Sequence, residues 1–115
     1  MRRLLDVDER LSLIRQFTQG LTREDFLADR KTQLAVIRLL EELCEAAYWS
    51  VKNERGDQIR QRYPSVDFRT FGAAGNIYRH QYGAVDYGIV WDDLQSSPDL
   101  IALEQMLHHE LRPST

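Results

Sequence analysis

Apolar residues recur along this chain at spacings of three and four, and hardly anywhere at two. Leu4, Val7, Leu11, Ile14 and Thr18 form the first such stripe. It predicts a helix over roughly residues 3–18, with Arg3, Asp6, Asp8, Glu9, Arg10 and Arg15 on its wet faces. Gly20 marks a stop. Thr22, with Asp25 three residues on, reads as a weak capping box for a short turn or helix. Phe26 and Leu27 within it are expected to tuck against the rest. The longest pattern runs from about Arg30 to Asn53, with Asp29 placed to cap it. Val36, Ile37, Leu40, Leu43, Cys44, Ala47, Tyr48 and Val51 give it a face broad enough for two neighbours. Glu41, Glu42 and Glu45 lie on or near the other face, and Arg38 sits one turn before Glu42.

Glu54-Arg55-Gly56-Asp57 breaks the periodicity. Gln58 to Tyr63 can add a short helical turn before Pro64. Ser65 or Asp67 can then cap a helix that carries Phe68, Phe71, Ala74, Tyr78 and Tyr82 along one face and ends near Gly83. Asp86 can cap another, about Tyr87 to Gln95, whose apolar side holds Val90, Trp91 and Leu94. Trp91 reads as a core or interface anchor. Pro98 opens a last helix through Leu100, Ile101, Leu103, Leu107 and Leu111. With almost no strand signal, the pattern predicts an all-α single domain over residues 1–115. An antiparallel four- or five-helix bundle is the geometric solution, and its broad apolar faces permit a homodimer.

The length suits one domain with its own core. The formal charge of -3 and pI of about 5.6 do not advertise a nucleic-acid surface overall. A local patch can still bind RNA, since charge distribution matters as well as net charge. The most basic run, residues 55–69, carries Arg55, Arg60, Arg62 and Arg69 beside Tyr63 and Phe68. It is either a solvated connector or a phosphate-facing rim. Cys44 is the only cysteine, which excludes an intrachain disulfide and any Cys-rich metal site. Its place on an apolar face makes it a packed thiol. His108 and His109 read as surface residues, and no His, Cys, Asp and Glu cluster has metal-ligand spacing. Arg2 and Arg3 have no apolar segment behind them, and no stretch approaches eighteen apolar residues. A cytoplasmic protein is therefore expected.

Small residues, aromatics and titratable groups crowd together between Gly72 and Asp86. Asn76 and His80 are four residues apart and share a helical face. Arg79 points about one hundred degrees away from His80. A histidine can transfer protons near neutral pH, and in an RNA-cleaving site it can activate a ribose 2'-hydroxyl or protonate a leaving oxygen. Asn76 can hold a phosphate oxygen or orient His80, and Tyr82 can donate a hydrogen bond or stack a base. The bland alternative is a structural His80 closing a local hydrogen-bond network.

Arg30-Lys31-Thr32-Gln33, Val36-Ile37-Arg38, Glu45-Ala46, Arg62-Tyr63-Pro64, Asn76 through Tyr82, Val85-Asp86 and Val90-Trp91 together resemble the HepT-like branch of the HEPN superfamily. The resemblance covers roughly residues 4–107. It implies an all-helical homodimer, the toxin half of a toxin–antitoxin pair, cleaving RNA rather than DNA without metal or other cofactor. It also implies a nucleotidyltransferase antitoxin of the MNT type that adenylylates the motif tyrosine. The motif's polar residue is carried onto Asn76, its histidine onto His80 and its tyrosine onto Tyr82. The motif arginine is not matched: Gly75 stands in its place. Arg79, Arg38 or Arg69, or an arginine from a second subunit, are the candidate phosphate-binding substitutes, although Arg69 is roughly 16 Å from His80 along a straight helix. A catalytically inactive protein that pairs with a nucleotidyltransferase or binds RNA is the alternative that Gly75 leaves open.

Overall fold

A computed structural model of the chain describes residues 2–112, apart from the side chains of Glu54 and Tyr82. Among these residues five longer helices are joined by two short ones. They are α1 (Arg2–Thr18), α2 (Arg23–Leu27), α3 (Arg30–Ser50), α4 (Glu54–Arg62), α5 (Phe68–His80), α6 (Tyr87–Ser96) and α7 (Pro98–Leu111). A single 3-10 turn, Tyr82–Ala84, follows α5, and there is no strand among the described residues. No described helix is long and apolar enough to cross a membrane.

The chain is organised around α3, with α1 on one side and α5 on another. The broad apolar face of α3 makes this possible: Val36, Leu43 and Ala47 are wholly buried, and Ile37, Leu40 and Cys44 nearly so. The stripe of Leu4, Val7, Leu11, Ile14 and Thr18 on α1 is buried as its spacing predicts. Full burial of each such aliphatic side chain contributes roughly 1.5–3 kcal/mol. Gln33 and Ser50 are the buried polar residues of α3, and Gln33 bridges to a neighbouring helix. Its buried amide donates to the Phe26 carbonyl at 2.9 Å and the Leu27 carbonyl at 3.0 Å, tying α2 to α3.

Side-chain caps set most boundaries. Thr22 and Asp25 form a complete capping box, and Asp29, Asp67 and Asp86 each accept from backbone N–H groups of the helices they precede. Gly20, at φ 78°, takes the left-handed conformation that ends α1.

Four local expectations change. Residues 54–57 are the first turn of α4, because Asn53 caps it by accepting from the Gly56 N–H. For the same reason α3 stops at Ser50, short of Asn53. Gly56 lies so close to Val51 that an added Cβ would sit 2.2 Å from the Val51 carbonyl oxygen, so only glycine permits this turn. Phe26 tucks in completely and packs 5.4 Å from the Trp91 ring, but Leu27 stays exposed. Finally, α5 ends at His80, and Tyr82 belongs to the 3-10 turn that follows.

Candidate functional site

The position of α5 is set by two glycines against α3. A Cβ on Gly72 would lie 2.4 Å from Cδ1 of Tyr48, and one on Gly75 would lie 3.1 Å from Cβ of Cys44. Without side chains at these positions, α5 lies close on α3 while its other faces remain open. Asn76 and His80 are on that open side, both exposed and one turn apart. No hydrogen bond joins either side chain to another described group. Among the described groups His80 therefore closes no local hydrogen-bond network. Tyr78, on the covered side, is half-buried, and burial, with smaller contributions from Cys44 and Asp93, pushes its hydroxyl up to about 12. Burial likewise pushes the Cys44 thiol up to about 12, so it stays protonated, as a packed thiol should.

A groove of about 970 Å³ opens between the end of α3, α4 and the first three turns of α5. It is lined by Lys52, Arg60, Arg69, Arg79, Asn76 and Trp49 among others. The structure thus brings Asn76, Arg79 and Arg69 to one surface, while His80 and Arg38 lie outside the groove lining. Arg79 is an i+4 neighbour of Gly75 and an i+3 neighbour of Asn76, so it shares their face even though it is angularly displaced from His80. Its guanidinium pairs with Glu45 at 3.1 Å and Glu41 at 3.4 Å. Arg38 reaches the same Glu41 at 3.3 Å and also Glu42 at 3.4 Å. Arg38 and Arg79 therefore meet around one carboxylate.

The basic run 55–69 does not make a single rim. Arg60 and Arg69 face the groove, whereas Arg55 and Arg62 line a smaller cleft of about 270 Å³, where Arg62 pairs with Glu110. Tyr63 is taken up by Glu110, to which its hydroxyl donates at 2.8 Å, and by His109. Burial and the Glu110 hydrogen bond raise its pKa. Phe68 is buried in the core. Tyr48, Trp49 and Phe68 all line the groove, and the well-exposed one is Trp49, at 47%, which sequence reasoning passed over. The available signal was its place on the polar line of α3, one turn after Glu45 and two after Glu41. A cleft of similar size, about 990 Å³ between α1 and α7, holds His108, His109 and Arg112 but none of the α5 residues. Among the described residues no group of His, Cys, Asp and Glu gathers as a metal site.

Comparison with known proteins places this arrangement. Residues 7–109 match the family described as Ribonuclease HepT-like. The chain belongs to the HepT-like family. It is 39% identical over 89 residues to "Putative RNase MJ0127" of Methanocaldococcus jannaschii, covering 77% of this chain and 69% of that protein. It is 38% identical over 88 residues to "Probable ribonuclease HepT" of Thermococcus cleftensis, covering 76% of each. No solved structure gives a significant match.

Within this HepT-like chain, the place before Asn76 is occupied by a buried glycine pressed on Cys44. A longer side chain there must first displace α3 or α5. The nearest guanidinium on the same face belongs to Arg79, one turn later. The Tyr82 side chain lies outside the described residues.

Proposed function

We propose that this HepT-like chain is an endoribonuclease and the toxin of a toxin–antitoxin pair. The observation that carries this reading is the exposed pair Asn76 and His80, one turn apart on α5 and without a side-chain partner among the described residues, in a chain of this family. His80 acts as the acid or the base in cleavage. As a base it takes the proton of a ribose 2'-hydroxyl, whose oxygen forms a bond to the adjacent phosphorus. The bond from phosphorus to the 5'-oxygen breaks, and that oxygen takes a proton from water; where His80 is instead the acid, its imidazolium gives this proton and water takes the one from the 2'-hydroxyl. The products are a 2',3'-cyclic phosphate and a free 5'-hydroxyl. No metal or other cofactor is assigned to this step. Asn76 holds a phosphate oxygen or orients the imidazole. Arg79 is the preferred substitute for the missing arginine, because it shares the face of Gly75 and Asn76; its planar donors match phosphate geometry. Arg38 stands in reserve across Glu41, and Arg69 is better placed for flanking phosphates than for the reacting one. The domain spans residues 1–115 and works as a homodimer in the cytoplasm. The exposed Ile77 on α5 and Ile89 on α6 support an apolar pairing surface beside the site. Its antitoxin is an MNT-type nucleotidyltransferase that adenylylates Tyr82, just after the site.

Purified protein should cut RNA in the presence of a chelator, and His80→Ala should abolish cutting while the helical circular dichroism and the oligomeric state are retained. Equal cleavage by the two proteins removes His80 from the mechanism. Incubation with the partner enzyme and labelled ATP should label the wild type but not Tyr82→Phe.

A second reading is supported by the two carboxylates on Arg79 and by Gly75. In it the protein binds RNA or its nucleotidyltransferase without cutting. Tight RNA binding with no His80-dependent turnover would favour it.

A further inference from the structure

We propose that the groove between α3, α4 and α5 is a single-strand RNA subsite in which a base stacks on Trp49 while Lys52, Arg60 and Arg69 follow the flanking phosphates. The proposal rests on the reading of the chain as an RNA-acting protein, and extends it from the reacting residues to a separate place where the strand is gripped.

Three observations meet here. The first is the state of Trp49. It is 47% exposed, yet its ring is braced edge-on against Tyr48, with centroids 5.3 Å apart at 83°. Tyr48 has two further neighbours: its ring sits against Gly72, where a Cβ would lie at 2.4 Å, and the Lys52 ammonium stands 4.3 Å from its centroid. An exposed indole fixed in this way offers a flat apolar platform at little cost in side-chain ordering. That is what sequence-tolerant base stacking needs.

The second is charge. Four cations and only two carboxylates, Glu45 and Asp67, line the groove of a chain whose net charge is -3. Asp67 is occupied as the cap of α5, and Glu45 pairs with Arg79. Lys52 and Arg69 have no ion pair among the described residues. Arg60 is held in place by the Val51 carbonyl at 2.8 Å and by Asp57 at 2.6 Å. A positive groove with an aromatic platform fits a polyanion that carries planar rings; a plain acidic peptide uses the charge but leaves the indole idle.

The third is continuity. The groove meets Asn76 and Arg79 at one end, and His80 follows on α5. From Arg69 to His80 the helix rises roughly 16 Å, a span of a few nucleotides. A strand lying along α5 can thus stack at Trp49 and present a phosphate beyond Asn76.

The test uses the full-length protein and a short fluorescein-labelled RNA, 2'-O-methylated throughout so that it cannot be cut. Binding is followed by anisotropy across a salt series. Trp49→Ala should weaken binding roughly five- to hundredfold, the range for losing one stacked base, and Trp49→Phe should restore most of it. Arg69→Gln should lower the slope of log affinity against log salt by about one, as expected for one lost phosphate contact. With a cleavable strand, Trp49→Ala should raise KM and leave kcat unchanged. Wild-type affinity in both Trp49→Ala and Arg69→Gln, in proteins with native circular dichroism, overturns the proposal. So does equally tight binding of a polyglutamate peptide of the same charge. Because the methylated strand reads binding alone, loss of the catalytic assignment to His80 leaves this result standing, and the reverse also holds.

Discussion

The Arg79 guanidinium on α5 lies 3.1 Å from the Glu45 carboxylate on α3 and 3.4 Å from that of Glu41. The cation proposed to replace the absent motif arginine is thus already shared with two acids. Both sides of the Glu45 pair are substantially exposed, at 39% and 50%, so the pair itself is worth less than about 1 kcal/mol after solvent screening. Its effect on a bound phosphate is repulsion as well as competition. Glu45→Gln should therefore strengthen binding of uncleavable RNA by up to about fivefold at low salt, with the gain shrinking as salt is added. Arg79→Gln should weaken it. Anisotropy titrations of the two variants check both directions, and an unchanged Glu45→Gln removes Glu45 from any controlling role.

The two glycines of α5 should respond differently to alanine. At Gly72 the new methyl enters the Tyr48 ring at 2.4 Å, and the ring is confined by Trp49 and Lys52. Overpacking of this kind costs about 1–3 kcal/mol. At Gly75 the contact with Cys44 Cβ is 3.1 Å, which a shift of a few tenths of an ångström relieves. There the helix gains about 0.8–1 kcal/mol by losing a glycine. Gly72→Ala should lower stability clearly, and Gly75→Ala should stay within about 1 kcal/mol of the wild type. Urea melts with matched slopes measure both. Gly75→Arg places a longer chain on the same buried spot and should cost more than Gly75→Ala.

The helices were legible because their signals are local. Thr22, Asp29, Asp67 and Asp86 each cap the helix that follows within three residues, and the α1 stripe needs only the helical period. The start of α4 was not legible, because Asn53 caps a turn that exists only where Gly56 can lie against Val51. Asn76 and His80 could be paired by spacing alone. The partners of Arg79 could not, since Glu41 and Glu45 stand on another helix and only the α3–α5 contact sets their distance. Trp49 was missed for a related reason. Its value as a platform comes from Tyr48 and Gly72, one of them on a different helix.

Cys44 should be inert in the folded protein. It is buried on α3 where that helix meets Gly75 of α5, and burial pushes its thiol up to about 12, far above the pH at which a reactive thiolate forms. A disulfide reagent at pH 8 should label the native protein slowly and the urea-unfolded protein at once. Rapid native labelling would mean that the α3–α5 contact opens readily. Gly72→Ala, which disturbs the same contact, should speed native labelling.

Acid should loosen the bundle in part through its caps. Hydrogen bonds from Thr32 lower the pKa of Asp29, and those from Thr70 lower that of Asp67. A carboxylate whose folded pKa lies below its unfolded value adds stability that is complete above the unfolded value. That stability is lost as pH falls through the folded one. The loss therefore begins near pH 4, the ordinary carboxylate value, and continues below it. Asp93 works in the opposite sense: burial, with Asp92 and Asp99 behind it, raises its pKa, so protonation relieves a cost as pH falls. The melting temperature should drop between pH 5 and pH 2.5 in the wild type. It should drop less in the double variant Asp29→Asn with Asp67→Asn, because asparagine caps without titrating. An identical acid loss in the two proteins would assign acid sensitivity to the surface ion pairs instead.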